Sequence, residues 1–306
     1  MFQKLIKEAR IVEVGPRDGL QNEKVCLSLE DKLEYIRLLS LTGLRTIEAT
    51  SFVRGDKIPQ MADAEELFTR LKKTKTFSDF HYPCLVPNIK GYELAKAVGV
   101  KEISLFSATS DQFTRKNINC TIDESFERMQ QVATMAKADG IKIRAYISTA
   151  FGCPYAGEMK VSELIHVVEK FLALDVYELS IGDTIGVANP KQVYDSITEL
   201  EKSVDLKKVA MHFHDTRGMG LANILASLEK GISIFDASSG GLGGCPYAFG
   251  ATGNVATEDV LYLLHSLGVK TGVDEQKLYQ ASSFILEKTG KVSPSKYFQF
   301  LQKKYS

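Results

Sequence analysis

Residues 208–236 read KVAMHFHDTRGMGLANILASLEKGISIFD, and this stretch contains the repeating unit that decides the fold. The apolar run at 208–213 is typical of a buried strand, and the apolar spacing within 219–230 is typical of a helix. A second apolar run at 232–236 predicts the next strand. The stretch therefore predicts the strand–helix alternation of a parallel sheet.

The same alternation continues along most of the chain. We predict strands at 10–15, 44–49, 82–86, 101–106, 142–148, 177–181, 208–213 and 232–236. We predict helices between and after them at 28–42, 62–73, 89–98, 122–139, 161–173, 190–202, 219–230 and 257–267. Strict alternation of eight strands and eight helices predicts an α/β fold, the (β/α)8 TIM barrel. The first strand is not followed by the glycine motif that a dinucleotide-binding fold requires.

Local chemistry agrees with several of these helix boundaries. Ser28 and Thr121 are predicted N-caps, and Pro190 is expected in a helix first turn behind Asn189. Residues 271–306 break the alternation and predict two further helices at 274–288 and 294–303. We therefore expect a catalytic barrel at 1–270 and a helical extension at 271–306 that covers the barrel mouth or a neighbouring subunit.

Composition excludes several classes of protein. The chain has 306 residues, with 38 Lys and Arg against 38 Asp and Glu, so no basic surface for nucleic acid or an anionic membrane is expected. No apolar run approaches the roughly 20 residues that a membrane span needs. The first predicted strand begins too early to leave room for a signal peptide, which favours a cytoplasmic protein. Disulfides and a structural zinc site are not expected, because no C-x-x-C pair occurs among the five cysteines at 26, 84, 120, 153 and 245.

Polar residues concentrate where the predicted strands end, which is where barrel enzymes place their chemistry. His212 and His214 alternate on one strand, so both imidazoles project to the same side. A pair of hydrogen-bonded structural histidines is the alternative. With the carboxylate of Asp18 and the amide oxygen of Asn254, the two imidazoles form a mixed oxygen and nitrogen set. This set predicts a site for Mg²⁺ or Mn²⁺, with Zn²⁺ or Co²⁺ possible, and no organic cofactor.

A guanidinium and a carboxylate accompany the predicted metal site. Arg17 can stabilise a developing enolate oxygen or bind a carboxylate, although it could also form a simple turn pair with Asp18. Glu48 ends the second strand and could be a metal ligand, a base or the partner that orients Arg17; we favour the last role. A metal site with an adjacent guanidinium and carboxylate is suited to aldol or Claisen chemistry.

The string Cys-Pro-Tyr-Ala occurs twice, at Cys153 and at Cys245. Cys245 lies in a glycine-rich loop beside Asn254, so its thiol could approach the reacting carbon when the loop closes. Cys153 could line the same mouth. The glycine-rich loop could instead bind phosphate through backbone N–H groups.

Four motifs carry a resemblance to a known family. They are VGPRDGLQNE at 14–23, IEATSFV at 47–53, GDTIG at 182–186 and GLGGCPYA at 241–248. Together they resemble the 3-hydroxy-3-methylglutaryl-CoA lyases, and the resemblance covers nearly the whole chain. It implies metal-dependent cleavage of 3-hydroxy-3-methylglutaryl-CoA to acetyl-CoA and acetoacetate, a step of leucine degradation and ketone body formation.

The resemblance also implies a role for individual residues. Asp18, His212, His214 and Asn254 would bind the metal, Arg17 would stabilise the enolate of acetyl-CoA, and Cys245 would transfer a proton. Glu48 would orient Arg17. The base for the tertiary hydroxyl stays open among Asp18, His212 and Asp183. We expect substrate contacts from Arg17, Gln21, Lys24, Ser51, Ser180 and Asn117.

Some expectations remain open between alternatives. A related acyl-CoA or 2-oxo-acid lyase or synthase on the same barrel is the nearest rival activity, and a metal-binding scaffold without catalysis is a rival from another class. No transit segment, peroxisomal tripeptide or terminal cysteine is expected, which favours a bacterial cytoplasmic form. A homodimer is the expected assembly.

Overall fold

The computed structural model describes residues 5–75, 77–244 and 253–305. Its strands are Arg10–Glu13 (β1), Thr46–Ile47 (β2), Thr50–Ser51 (β3), Cys84–Leu85 (β4), Glu102–Ala108 (β5), Lys142–Ser148 (β6), Gly152–Cys153 (β7), Gly157–Glu158 (β8), Glu178–Asp183 (β9), Val209–Phe213 (β10) and Ile234–Ala237 (β11). Its α-helices are Leu29–Ser40 (α1), Ala64–Leu71 (α2), Ile89–Val98 (α3), Asp111–Ile118 (α4), Ile122–Ala138 (α5), Val161–Ala173 (α6), Pro190–Leu200 (α7), Gly220–Glu229 (α8), Thr257–Ser266 (α9), Glu275–Thr289 (α10) and Lys296–Tyr305 (α11).

Nine of the strands form one parallel sheet in the order β2, β1, β11, β10, β9, β6, β5, β4, β3. The two ends of this order, β2 and β3, are successive pieces of the segment 46–51. That segment pairs with β1 on one side and with β4 on the other, and the Glu48 N–H donates to the Glu13 carbonyl at 2.9 Å. The sheet therefore closes on itself, and the predicted TIM barrel is confirmed.

The structure departs from the predicted elements in three places. The second strand is interrupted at Glu48 and Ala49, where the chain changes its pairing partner from β1 to the segment at 81–85. Between β5 and α5 lies an additional helix, α4, and a short antiparallel hairpin, β7–β8, follows β6. Both insertions lie at the carboxyl ends of strands, so they enlarge the face that carries the predicted site.

The predicted helix caps form as expected. The Ser28 side chain accepts the N–H of Asp31, and Thr121 forms a reciprocal capping box with Glu124. Asn189 accepts the N–H of Gln192 ahead of Pro190. Each cap satisfies a backbone donor that the first turn of a helix leaves free.

Most of the apolar core lies between the sheet and the surrounding helices. The barrel interior contains a small apolar cluster formed by Val12, Val14, Ala210 and Ile234. Buried charged side chains lie beside it, including Arg144, Glu178 and Asp236. The apolar layer supports the barrel from outside, while polar groups fill the interior toward the site.

The two C-terminal helices pack against the barrel's own helices. Lys288 of α10 forms an ion pair with Asp31 of α1 at 2.7 Å, and the Tyr297 N–H of α11 donates to Asp259 of α9 at 2.9 Å. The division into a barrel at 1–270 and an extension at 271–306 stays a prediction. In the described part of the chain, no helix combines the length and the apolar composition needed to cross a membrane.

Candidate active site

The four predicted metal ligands meet at the carboxyl end of the barrel. β1 runs into a single π-helical turn, Gly15–Gly19, which carries Asp18. His212 lies on β10, and His214 follows directly after that strand. The segment 253–255 pairs antiparallel with this strand end, which places Asn254 opposite His214. Single ligand atoms of Asp18, His212 and His214 all lie within 4.8 Å of one another.

Two buried polar atoms support a cation at this position. The Nδ2 of Asn254 donates to Asp18 Oδ2 at 2.8 Å, but its Oδ1 has no hydrogen-bond partner among the described residues. The Nδ1 of His214 also has no such partner. A buried polar atom without a partner is costly in a folded protein. Because a divalent cation can accept both lone pairs, the donor set fits the predicted metal.

The protonation states also favour ligation. Burial would raise the pKa of Asp18, but the charges of Arg17 and of both histidines hold it down at about 2. Burial, together with the charge of His212, lowers the pKa of His214 to about 4. At neutral pH the site therefore offers an ionised carboxylate and an unprotonated imidazole, the forms that bind metals.

Arg17 lies beside this set and is held by two carboxylates. Its Nε donates to Glu48 Oε2 at 2.7 Å, and its Nη1 donates to Asp18 Oδ1 at 2.7 Å. Although burial opposes it, these carboxylates hold the pKa of Arg17 above its ordinary value. The guanidinium also lies over the ring of Tyr146, 5.1 Å from its centroid. Glu48 thus lies in direct contact with Arg17, and its preferred role, to orient Arg17, stays a prediction.

A cavity of about 470 Å³ opens above these residues. Of the predicted substrate contacts, Arg17, Gln21, Asn117 and Ser180 line it. Its outer wall includes the cationic side chains of Arg54 and Lys57. Lys24 is exposed and Ser51 is buried, and neither is among the described lining residues.

The remaining predicted residues lie apart from the cavity or outside the described residues. The two carboxylate oxygens of Asp183 accept the N–H groups of Val187 and Ala188, each at 3.0 Å. Cys153 is buried, with its Sγ 3.1 Å from the Ser110 hydroxyl. Cys245 lies outside the described residues.

Sequence reasoning missed two residues of the site. Tyr146 lines the cavity, and its hydroxyl is buried without a hydrogen-bond partner in the described ranges. Asp236 lies beneath His212, with its Oδ2 3.3 Å from the ring Nδ1. The sequence signal is only that each is a polar residue within or at the end of a predicted strand, which does not indicate its partners.

The described residues on the two sides of the glycine-rich loop approach each other closely at Gly243 and Gly253. Gly243 and Gly253 both have positive φ, +107° and +95°, and a Cβ on Gly253 would lie 1.9 Å from the Gly243 carbonyl oxygen. Only glycine permits so close an approach in this conformation. Upstream, Glu13 accepts the N–H groups of Gly15 and Ser239, each at 2.9 Å. One buried carboxyl group thus connects the Asp18 turn to the start of the loop.

Comparison with known proteins agrees with this geometry. Residues 8–285 match the family model described as HMGL-like. The mitochondrial hydroxymethylglutaryl-CoA lyase of Macaca fascicularis is 47% identical over 295 residues, which are 96% of this chain and 90% of that protein.

The chain belongs to the hydroxymethylglutaryl-CoA lyase family.

Other members of the lyase family are also similar to this chain. The cytoplasmic 3-hydroxy-3-methylglutaryl-CoA lyase of Danio rerio is 48% identical over 97% of this chain and 88% of its own length. The crystal structure of hydroxymethylglutaryl-CoA lyase from Pseudomonas aeruginosa superposes with a TM-score of 0.95, at 44% identity, covering 99% of this chain and 100% of that chain. The resemblance seen in the sequence motifs is confirmed.

Proposed function

We propose that this protein is a carbon–carbon lyase that cleaves 3-hydroxy-3-methylglutaryl-CoA to acetyl-CoA and acetoacetate. The observation that carries the proposal is the convergence of Arg17 with the Asp18, His212, His214 and Asn254 set in a member of the lyase family. The cavity beside them is large enough for the acyl end of such a substrate.

We propose that Asp18, His212, His214 and Asn254 hold a divalent cation, Mg²⁺ or Mn²⁺. The set offers two oxygens and two imidazole nitrogens, and its carboxylate and amide oxygens suit hard cations. When bound, the cation supplies Lewis acidity toward the oxygens of the substrate. No organic cofactor is needed for the reaction.

Arg17 is placed to stabilise the negative charge that develops during cleavage. When the tertiary hydroxyl loses its proton, its oxygen becomes the ketone oxygen of acetoacetate as the adjacent carbon–carbon bond breaks. The electron pair of that bond moves to the acetyl unit, which departs as an enolate. Nε and Nη1 of Arg17 are taken by carboxylates, whereas Nη2 has no acceptor within the described part of the chain. This nitrogen can donate to the enolate oxygen.

Two proton transfers complete the reaction. The base for the hydroxyl is proposed among Asp18, His212 and Asp183; of these, only the first two line the cavity. Cys245 is proposed to deliver a proton to the enolate carbon. The thiol requires access to the cavity, and Gly243 and Gly253 hold the two sides of its loop beside Asn254.

The decisive experiment is turnover of 3-hydroxy-3-methylglutaryl-CoA by the chelator-treated protein, with acetoacetate measured before and after addition of Mg²⁺ or Mn²⁺. We expect metal-dependent acetoacetate formation, and its loss in His214→Gln. His265→Gln, which changes an exposed histidine on α9, is the matched control and should retain turnover. Folded protein without turnover under either metal would refute the proposed substrate.

We further propose a cytoplasmic homodimer that binds neither nucleic acid nor membrane. The balanced charge of the chain supports the absence of those two partners. Tyr262 of α9 and Phe300 of α11 are 53% and 54% exposed, which supports a contact through the C-terminal helices. Light scattering of the purified protein tests the assembly, because a monomeric mass would exclude the dimer.

A further inference from the structure

A network of buried charges lies in the barrel interior, beneath the proposed metal ligands. Arg144 of β6, which is 0% exposed, donates from Nη2 to Asp236 Oδ1 at 2.6 Å. Its Nε donates to Glu178 Oε1 at 2.7 Å. The proposed reaction gives none of these three residues a role. Because burying charges is costly, such a network need not add stability, and a role in positioning other groups is the hypothesis to test.

Asp236 differs from Glu178 in its other contacts. Its Oδ2 accepts the Ser180 hydroxyl at 2.6 Å and lies 3.3 Å from His212 Nδ1. His212 and Asp236 are register partners on the adjacent strands β10 and β11, so the sheet itself holds the two side chains together. Asp236 is not among the described residues that line the cavity, and it therefore acts only through its neighbours.

We propose that Asp236 is a positioning residue that holds His212 in the tautomer required for metal binding. A carboxylate that accepts the Nδ1 hydrogen leaves the lone pair on Nε2, the only nitrogen that can then bind a cation. The same oxygen orients Ser180 on the cavity wall. Asp236 thus links His212, a proposed metal ligand, and Ser180, a predicted substrate contact, to the buried guanidinium of Arg144. This role rests on the metal site proposed above.

The competing explanation is that Asp236 only neutralises Arg144. Glu178 provides a matched control, because Glu178→Gln also removes a carboxylate from Arg144 but leaves the contact with His212 in place. Asp236→Asn keeps the shape of the side chain and can present an amide N–H to His212. The resulting exchange of tautomer would remove the lone pair from the nitrogen that binds the metal.

The first test is Mn²⁺ affinity, measured by calorimetry on chelator-treated full-length protein whose folding is verified by circular dichroism. We expect Asp236→Asn to weaken Mn²⁺ binding by about 10- to 100-fold, the usual effect of losing an outer partner of a metal-binding histidine. Glu178→Gln should bind Mn²⁺ within a few-fold of the wild type. Equal affinity in Asp236→Asn and Glu178→Gln would overturn the positioning role. Wild-type protein that binds no Mn²⁺ would overturn the metal site and this role with it.

The second test needs no folded variant at Asp236. Long-range ¹H–¹⁵N spectra of the wild-type protein report which ring nitrogen of each histidine carries the hydrogen. At an alkaline pH where only one ring nitrogen of His212 carries a hydrogen, we expect that hydrogen on Nδ1. Its signals are assigned as those missing from His212→Gln. A hydrogen on Nε2 of His212 would refute the proposal, even if the metal site itself is correct.

Discussion

Arg17 gives the most direct prediction at the scale of single residues. Its planar guanidinium group donates to Glu48 and Asp18 through two different nitrogens, and the single ammonium of a lysine cannot reproduce this geometry. We expect Arg17→Lys to lower kcat by about 10²- to 10³-fold, the usual effect of removing one oxyanion donor. Mn²⁺ affinity should change much less. Steady-state kinetics with a parallel metal titration measures both, and an unchanged kcat would exclude the proposed role.

The two lysines near the mouth allow a second prediction at this scale. Lys57 lines the cavity, whereas Lys24 is exposed and is not among the described lining residues. We expect Lys57→Gln to raise KM for the acyl-CoA by about 2- to 5-fold, because an exposed ionic contact contributes up to about 1 kcal/mol. The effect should disappear at high salt. A larger rise in KM for Lys24→Gln would instead support the contact that the sequence predicted for Lys24.

At the scale of elements, the antiparallel contact of 253–255 with the end of β10 positions Asn254. Gly253 makes this contact possible, since a Cβ there would lie 1.9 Å from the Gly243 carbonyl oxygen. We therefore expect Gly253→Ala to displace Asn254 and to weaken Mn²⁺ binding by about 10-fold or more, as for other disturbances around a metal site.

Gly268 supplies the control for this substitution. Its φ is also positive, at +75°, but a Cβ there would meet no atom within 4 Å. Gly268→Ala should cost about 1 kcal/mol of stability from backbone strain and leave Mn²⁺ affinity unchanged. Equal metal affinity in the two variants would show that the contact between Gly243 and Gly253 does not position Asn254.

At the scale of the whole molecule, Glu13 connects parts of the chain that are far apart in sequence. It accepts N–H groups from Gly15 and Ser239 and the hydroxyl of Thr257, at 2.8 to 2.9 Å. Burial raises its pKa to about 8, from an ordinary value of 4.5. Between these two pH values the folded protein holds a proton that the unfolded chain releases.

The free energy of unfolding should therefore fall as the pH rises from about 4.5 to about 8. Glu13→Gln carries no titrating group and should remove part of this slope, by an amount on the order of 3 kcal/mol across the range. Denaturant unfolding of the chelator-treated protein at several pH values measures the slope. Glu65→Gln, which changes an exposed glutamate on α2, should leave the slope intact. A slope that survives in Glu13→Gln would show that Glu13 does not titrate in this way.

The fold could be predicted from local patterns because each strand–helix unit carries its own periodicity. The capping residues Ser28, Thr121 and Asn189 act within a single turn, so the sequence indicates them directly. The helix α4 was not predicted, because its sequence is polar and short and its start is set by Ser110 and by packing of Phe113 against Cys153 and Met159.

Much of the candidate site could also be predicted, because its residues lie at the carboxyl ends of the predicted strands. The reason is topological: closing a parallel barrel brings all these ends together, so Asp18 must approach His212 and His214. The same rule places Glu48 at this end of the barrel, where it forms an ion pair with Arg17; its role stays a prediction.

By itself, the sequence determined the barrel, the family and the identity of the polar side chains at its mouth, because these depend on local spacing and on motifs. Only the tertiary structure decided which residues support them. Asp236 reaches His212 across two neighbouring strands, and Tyr146 lies between Arg17 and Arg144. The orientation of side chains inside a barrel depends on strand register and on packing between segments distant in sequence, and no local pattern encodes these relations.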